Sequence, residues 1–181
     1  MHKKPSLRFS FYNRLSQEQK REFLARLKKT NKKLMQILAY CFMPNHVHFL
    51  LEEVEKNGIA TFMRNVQNSY AKYLNTKAKR SGAIFQSMFK IVRIESEEQL
   101  LHVSRYIHLN PLTSFFIKEP DELEAYPWSS YVDYIGKRNS DIVRTSPIQE
   151  LFPSIDAFKT FTRDQVDYQR KLNAIKHLVF E

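Results

Sequence analysis

Two β-type runs, 34–42 and 46–53, are separated only by Met43-Pro44-Asn45, and so short a connection allows them to pair only antiparallel. The second run alternates, with His46, His48 and Leu50 on one face and Val47, Phe49 and Leu51 on the other. Residues two apart on a strand point to the same side, so the two imidazoles can share one divalent ion on a rigid platform. By itself a His-x-His pair is a weak signal, because such pairs also arise by chance on sheet faces. Its weight depends on what the rest of the chain brings to it.

Around this hairpin the periodicity is helical. Ser16 with Gln19 makes a capping box that opens a helix carried by Phe23, Leu24 and Leu27 to about Lys33. From Gly58 to about Lys79, Ile59, Phe62, Met63, Val66, Tyr70, Tyr73 and Leu74 recur at three- and four-residue steps, and Ser81-Gly82 ends the pattern. Residues 84–94 return to β-type composition. Ser96 and Gln99 then form a second capping box, opening a helix over 97–109 that Pro111 should stop. On it His102, Tyr106 and Asn110 fall at i, i+4 and i+8, one stripe beside the apolar face of Leu100, Val103 and Ile107. Docking Val103 and Ile107 would present a phenol and a carboxamide to the sheet. A phenol is a competent covalent nucleophile, and an amide oxygen is a hard ligand suited to Mg²⁺ or Mn²⁺. Taken alone, Tyr106 also reads as an ordinary half-buried tyrosine with a bonded hydroxyl.

The order helix, strand, strand, helix, strand, helix predicts an α+β fold, a ferredoxin-like antiparallel sheet with helices on one face. Such a sheet needs a strand ahead of the first helix, and only the weakly alternating Leu7-Arg8-Phe9-Ser10-Phe11-Tyr12 could supply it. Either that stretch is the strand, or the first strand is missing and the domain is truncated at its N-terminus. Residues 1–126 form the expected catalytic domain. Residues 127–181, with Gly136, Pro147 and Pro153 between short helical pieces and a helix over roughly 163–180, are read as a C-terminal helical extension.

Charge narrows the partner. The 181 residues carry 29 Lys and Arg against 19 Asp and Glu, a net +10, which favours a polyanion. The excess is local: residues 1–33 hold eleven basic and two acidic side chains, and 64–93 hold seven basic and none acidic. The second block interleaves Tyr70, Tyr73, Phe85 and Phe89 with Lys72, Lys77, Lys79, Arg80, Lys90 and Arg93. Unpaired bases stack on aromatics while cations hold the backbone, although most of these rings could equally belong to a core. A single cysteine, Cys41, excludes a disulfide framework and a Cys-rich zinc site. With no long apolar run and no signal core, the expectation is a cytoplasmic protein.

Three stretches together carry a resemblance: Leu38-Ala39-Tyr40-Cys41-Phe42-Met43-Pro44-Asn45-His46-Val47-His48-Phe49-Leu50-Leu51, then Ser104-Arg105-Tyr106-Ile107-His108-Leu109-Asn110-Pro111-Leu112, then Tyr126-Pro127-Trp128-Ser129-Ser130-Tyr131. In this order the chain, from about residue 16 to 135, resembles the REP-associated tyrosine transposases, a group within the single-tyrosine HUH nucleases. The resemblance implies that His46 and His48 are the metal pair, Asn110 the third ligand and Tyr106 the nucleophile. The implied reaction cuts single-stranded DNA next to hairpins through a 5′-phosphotyrosine, with Mg²⁺ or Mn²⁺ as cofactor and a monomer or homodimer as the acting species. Lys72, Lys77, Lys79, Arg80, Lys90 and Arg93 are the expected DNA contacts. Many relatives carry Gly-Arg where Ser87-Met88 stand, which removes one expected phosphate contact. The alternative is a catalytically inactive nucleic-acid-binding remnant of such a transposase.

Overall fold

The computed structural model describes residues 9–29, 33–85 and 89–166. The chain divides into two compact units, one of residues 1–34 and 54–89, the other of residues 35–53 and 90–181.

The first unit is helical, with α1 (Phe9–Arg14), α2 (Gln17–Lys29) and α3 (Gly58–Lys77). The capping box at α2 forms as expected: Ser16 N–H donates to Gln19 Oε1 at 3.0 Å and Gln19 N–H to Ser16 Oγ at 3.2 Å. The candidate first strand is corrected, since residues 9–12 are helical; Leu7 and Arg8 lie outside the described residues. The reason lies in local packing. Tyr12 sets its ring against Phe23 of α2, with centroids 6.0 Å apart, and takes Lys20 over its face at 5.6 Å. A helical hairpin thus satisfies this stretch without a strand partner. The start of α3 depends on Gly58, where a Cβ would run into the Leu34 carbonyl. That same oxygen accepts the N–H groups of Val54 and Glu55, so it cannot readily move aside. Past α3, Lys79 at φ 48° and Gly82 at φ 102° reverse the chain.

The second unit is α+β, as expected. Strands β1 (Met35–Phe42) and β2 (Val47–Glu53) pair antiparallel, with Phe42 opposite Val47, Cys41 opposite His48 and Ala39 opposite Leu50. A bulge between Ile37 and Ala39 shifts the register. Helix α4 (Glu97–Thr113) packs across both strands, an arrangement consistent with a ferredoxin-like fold. The strand expected over 84–94 does not form in the described part of that stretch, and residues 86–88, including Ser87 and Met88, lie outside it. Its apolar residues are unevenly covered: Ile94 packs against the core, whereas Ile91 and Val92 are exposed.

The outer side of β1 is occupied by residues from far down the chain. Phe42 N–H donates to the Trp128 carbonyl at 2.9 Å, Ser130 N–H to that of Tyr40 at 3.0 Å, and Arg144 N–H to that of Ile37 at 2.9 Å. Residues 127–166 are helical in pieces, as read, with α5 (Tyr131–Tyr134), α6 (Ser146–Gln149) and α7 (Ile155–Arg163). They are not peripheral: Tyr131, Tyr134, Ile148 and Phe158 share one core with Ala39, Cys41, Leu109 and Leu112. Tyr134 stacks on Phe158 at 5.0 Å and donates its hydroxyl to the Leu38 carbonyl at 2.8 Å. The helix expected over 163–180 falls mostly on residues 167–181, outside the described ones. Among the described residues no helix is long and apolar enough to cross a membrane.

Candidate metal and nucleophile site

Antiparallel pairing fixes where the histidines stand. Met43 N–H donates to the His46 carbonyl at 2.9 Å and closes the hairpin. His48 then faces Cys41 across the pair, and the two imidazole centroids lie 4.8 Å apart. His46 is exposed and His48 half-buried. Burial, and secondarily the neighbouring His46, push His48 down to about 4. At neutral pH it is therefore an uncharged imidazole with a lone pair to give.

Helix α4 starts where the second capping box was read, Gln99 N–H donating to Ser96 Oγ at 3.1 Å and Glu95 N–H to Gln99 Oε1 at 2.8 Å. It runs on to Thr113, past the expected stop before Pro111. Pro111 falls in the last turn, where its missing N–H removes a single helical bond, and its carbonyl still accepts from Phe116 and Ile117 at 3.0 Å. Ile107 is buried and Val103 packs on the core, which turns Tyr106 and Asn110 toward the hairpin. Tyr106 stands edge-on to His48 with centroids 5.4 Å apart. The nearly buried Asn110 brings Nδ2 to 3.1 Å from His48 Nε2.

His46 in the connection just ahead of β2, His48 on β2, and Tyr106 and Asn110 one turn apart on α4 thus meet within one unit; the expected strand from residue 46 begins one residue later, at Val47. Among the described residues no group of three or more His, Cys, Asp and Glu is arranged to hold an ion; the third position here is a carboxamide. The donor set nevertheless suits a divalent ion. Turning the Asn110 amide over would set an oxygen about where its nitrogen stands, and adjacent ligands on an octahedral ion with bonds near 2.1 Å sit roughly 3 Å apart. His46, His48 and Asn110 are the residues that could hold it.

Asn45 was missed by sequence reasoning. Its Oδ1 lies 2.6 Å from His46 Nδ1. An amide oxygen only accepts, so with the amide in this orientation His46 carries its proton on Nδ1 and leaves Nε2 free as a ligand. The one available signal was an Asn in the turn directly before the His-x-His pair. His102, on the same helical stripe as Tyr106, is engaged elsewhere: its Nδ1 accepts from Arg105 at 2.7 Å. His108 is fully buried, with Nε2 3.0 Å from Ser130 Oγ, and burial holds it down to about 3. It belongs to the core. Cys41 is buried too, and burial pushes its thiol up to about 12.

The expected DNA-contact residues divide between the units. Lys72, Lys77, Lys79 and Arg80 lie in the first, on or just past α3, and are exposed. Lys90 and Arg93 are exposed in the second, ahead of α4. Among the described residues none of these six is in an ion pair. The cations deeper in the second unit are committed instead: Lys137, Lys159 and Arg163 surround Glu124, Arg138 holds Asp133, and Arg144 holds Glu52.

A family model described as Transposase IS200 like matches residues 6–110. No curated protein and no solved structure matches the chain. The matched span covers more than half of the 181 residues and contains His46, His48, Tyr106 and Asn110 together; the chain belongs to the IS200-like transposase family.

Proposed function

We propose that this protein is a metal-dependent single-stranded DNA endonuclease and strand transferase of the REP-associated, single-tyrosine HUH type, cutting next to DNA hairpins. The observation that carries the reading is the meeting of Tyr106 with His48, 5.4 Å between ring centroids, beside Asn110. A phenol set against a two-imidazole, one-carboxamide cluster is what covalent phosphoryl transfer requires, a nucleophile within reach of the atoms that hold the phosphate.

A divalent ion, Mg²⁺ or Mn²⁺, held by His46, His48 and Asn110 would polarise the phosphate and offset charge on its oxygens. The Tyr106 Oη attacks phosphorus in line and gives up its proton to water. The bond from phosphorus to the 3′ oxygen breaks, that oxygen takes a proton, and a free 3′-OH leaves while the 5′-phosphate stays on Tyr106. Attack by a 3′-OH on this phosphotyrosine reverses the step and joins a new end. The covalent bond conserves the phosphodiester energy, so no nucleotide cofactor is needed. Lys72, Lys77, Lys79 and Arg80, with Lys90 and Arg93, would hold backbone phosphates. The protein would act in the cytoplasm as a monomer or homodimer.

The test is covalent capture. Protein, Mn²⁺ and labelled single-stranded hairpin DNA from the flanks of the gene should give a denaturant-resistant adduct that Tyr106→Phe and His46→Ala both abolish. Hairpin binding without any adduct would instead identify a catalytically inactive remnant.

A further inference from the structure

In the C-terminal half of α3 the apolar stripe runs on after the packing ends. Ile59, Met63 and Val66 are partly covered, whereas Tyr70 and Tyr73, on the same face, are 49% and 48% exposed. The chain reversal after α3 returns a third ring to them. Asn75 Nδ2 donates to the Gly82 carbonyl at 2.9 Å, and Arg80 N–H to the Asn75 carbonyl at 2.9 Å. Phe85 is thereby set beside Tyr70, with centroids 6.0 Å apart and planes tilted by 51°, and is itself 38% exposed. Lys77, one turn beyond Tyr73, holds its ammonium 5.7 Å from that ring's centroid.

Three half-open rings in one small patch are costly to leave in water unless something covers them. The surrounding charge indicates what. Arg64, Lys72, Lys77, Lys79 and Arg80 are the only ionic side chains between residues 64 and 85, so the patch is aromatic within a purely cationic setting. Ring faces accept any base and ammonium groups track the backbone, which together suit a single strand rather than a duplex, whose bases are already stacked. We propose that Tyr70, Tyr73 and Phe85 form a stacking platform for unpaired DNA bases, with Lys77 holding the adjoining phosphate. This rests on the DNA-processing reading above and deepens it: the first unit would engage single-stranded nucleotides through stacking.

The test compares the full chain with Tyr70→Ala/Tyr73→Ala, Tyr70→Phe/Tyr73→Phe and Lys77→Ala, using fluorescence anisotropy of labelled oligo-dT and of a blunt duplex across a salt series. The double alanine variant should bind oligo-dT at least about tenfold more weakly, with an unchanged salt slope and unchanged duplex binding. The double phenylalanine variant should bind like wild type. Lys77→Ala should lower the salt slope by about one. Equal losses on duplex and single strand, or no loss, would overturn the proposal. So would a change from dimer to monomer by light scattering with oligo-dT binding intact, which would mark a self-association surface. Should the alanine variant fail to fold, photo-crosslinking of wild type to iodouracil-substituted single strands decides: adducts on Tyr70, Tyr73 or Phe85 support the platform, and adducts only elsewhere refute it. Wild-type adduct formation at Tyr106 is scored separately, so either idea can fail without the other.

Discussion

The Asn110 carboxamide nitrogen lies 3.1 Å from His48 Nε2, joining the last turn of α4 to the start of β2. The contact ties the helix carrying Tyr106 to the strand carrying His48, and it puts a hard oxygen donor within one amide rotation of an imidazole lone pair. Asn110→Ala should weaken Mn²⁺ binding about 10- to 100-fold, read by titration calorimetry. The same variant should lose about 1 kcal/mol of stability, because one hydrogen bond to a half-buried imidazole goes unmade. Asn110→Asp should bind Mn²⁺ at least as tightly as wild type, since a carboxylate supplies the oxygen with a charge. If alanine and wild type bind Mn²⁺ equally, Asn110 is a structural tether only.

Asn45 should act on metal binding through His46. With Asn45 Oδ1 accepting from Nδ1–H, ¹⁵N spectra of the metal-free protein should show His46 in the Nδ1–H form. Asn45→Ala should lose that preference and bind Mn²⁺ about tenfold more weakly, and Asn45→Asp should restore both. An unchanged tautomer in the alanine variant would remove Asn45 from the site.

Arg138 is expected to dominate the stability of the segment beside β1. Its guanidinium donates to the Asp133 carboxylate, to the carbonyls of Pro127 and Ser129, and to the Tyr40 hydroxyl. Asp133 is buried, so Arg138→Met would strand its charge at a cost of about 3–5 kcal/mol. Adding Asp133→Asn should recover part of that loss, because the uncompensated charge is then gone. Chemical denaturation of the two single variants and the double variant measures the coupling.

Glu124 makes stability sensitive to acid. Hydrogen bonds from Lys137 and Lys159, each at 2.9 Å, hold its carboxyl down to about 2 from an ordinary value of 4.5. A carboxylate depressed in the folded state adds stability that is fully present above about 4.5 and lost as pH falls toward about 2. Glu124→Gln should therefore be less stable than wild type at neutral pH, and the gap should narrow through that window. Thermal melts of both proteins across the range give the comparison.

The parts legible in the sequence were those with short-range causes. The short connection after Phe42 forced the hairpin, the two Ser-Gln capping boxes started α2 and α4, and the four-residue spacing of Tyr106 and Asn110 set both on the face of α4 that meets His48. The parts that were not legible depend on partners distant along the chain. Residues 84–94 have strand composition, but composition does not supply a neighbour, and Ile91 and Val92 remain uncovered. Residues 9–12 alternate weakly, yet Tyr12 gains more from Phe23 one helix on. The role of 127–166 rests on contacts such as that between Tyr134 and Leu38, 96 residues apart, which no local pattern encodes. Pro111 was read as a terminator because sequence does not reveal that a last turn can lose one bond without ending.

The Trp128, Ser130 and Arg144 contacts along β1 also decide how the sheet could grow. A strand whose backbone groups are already spoken for cannot accept a newcomer, whereas an open edge is a template for one. Among the described residues the sheet consists of β1 and β2 paired with each other, and on the far side of β1 the template is taken up by the chain's own distant residues. Cutting the protein short before Tyr126 would strip these contacts from β1 and leave a sticky edge on which correct and incorrect pairings compete.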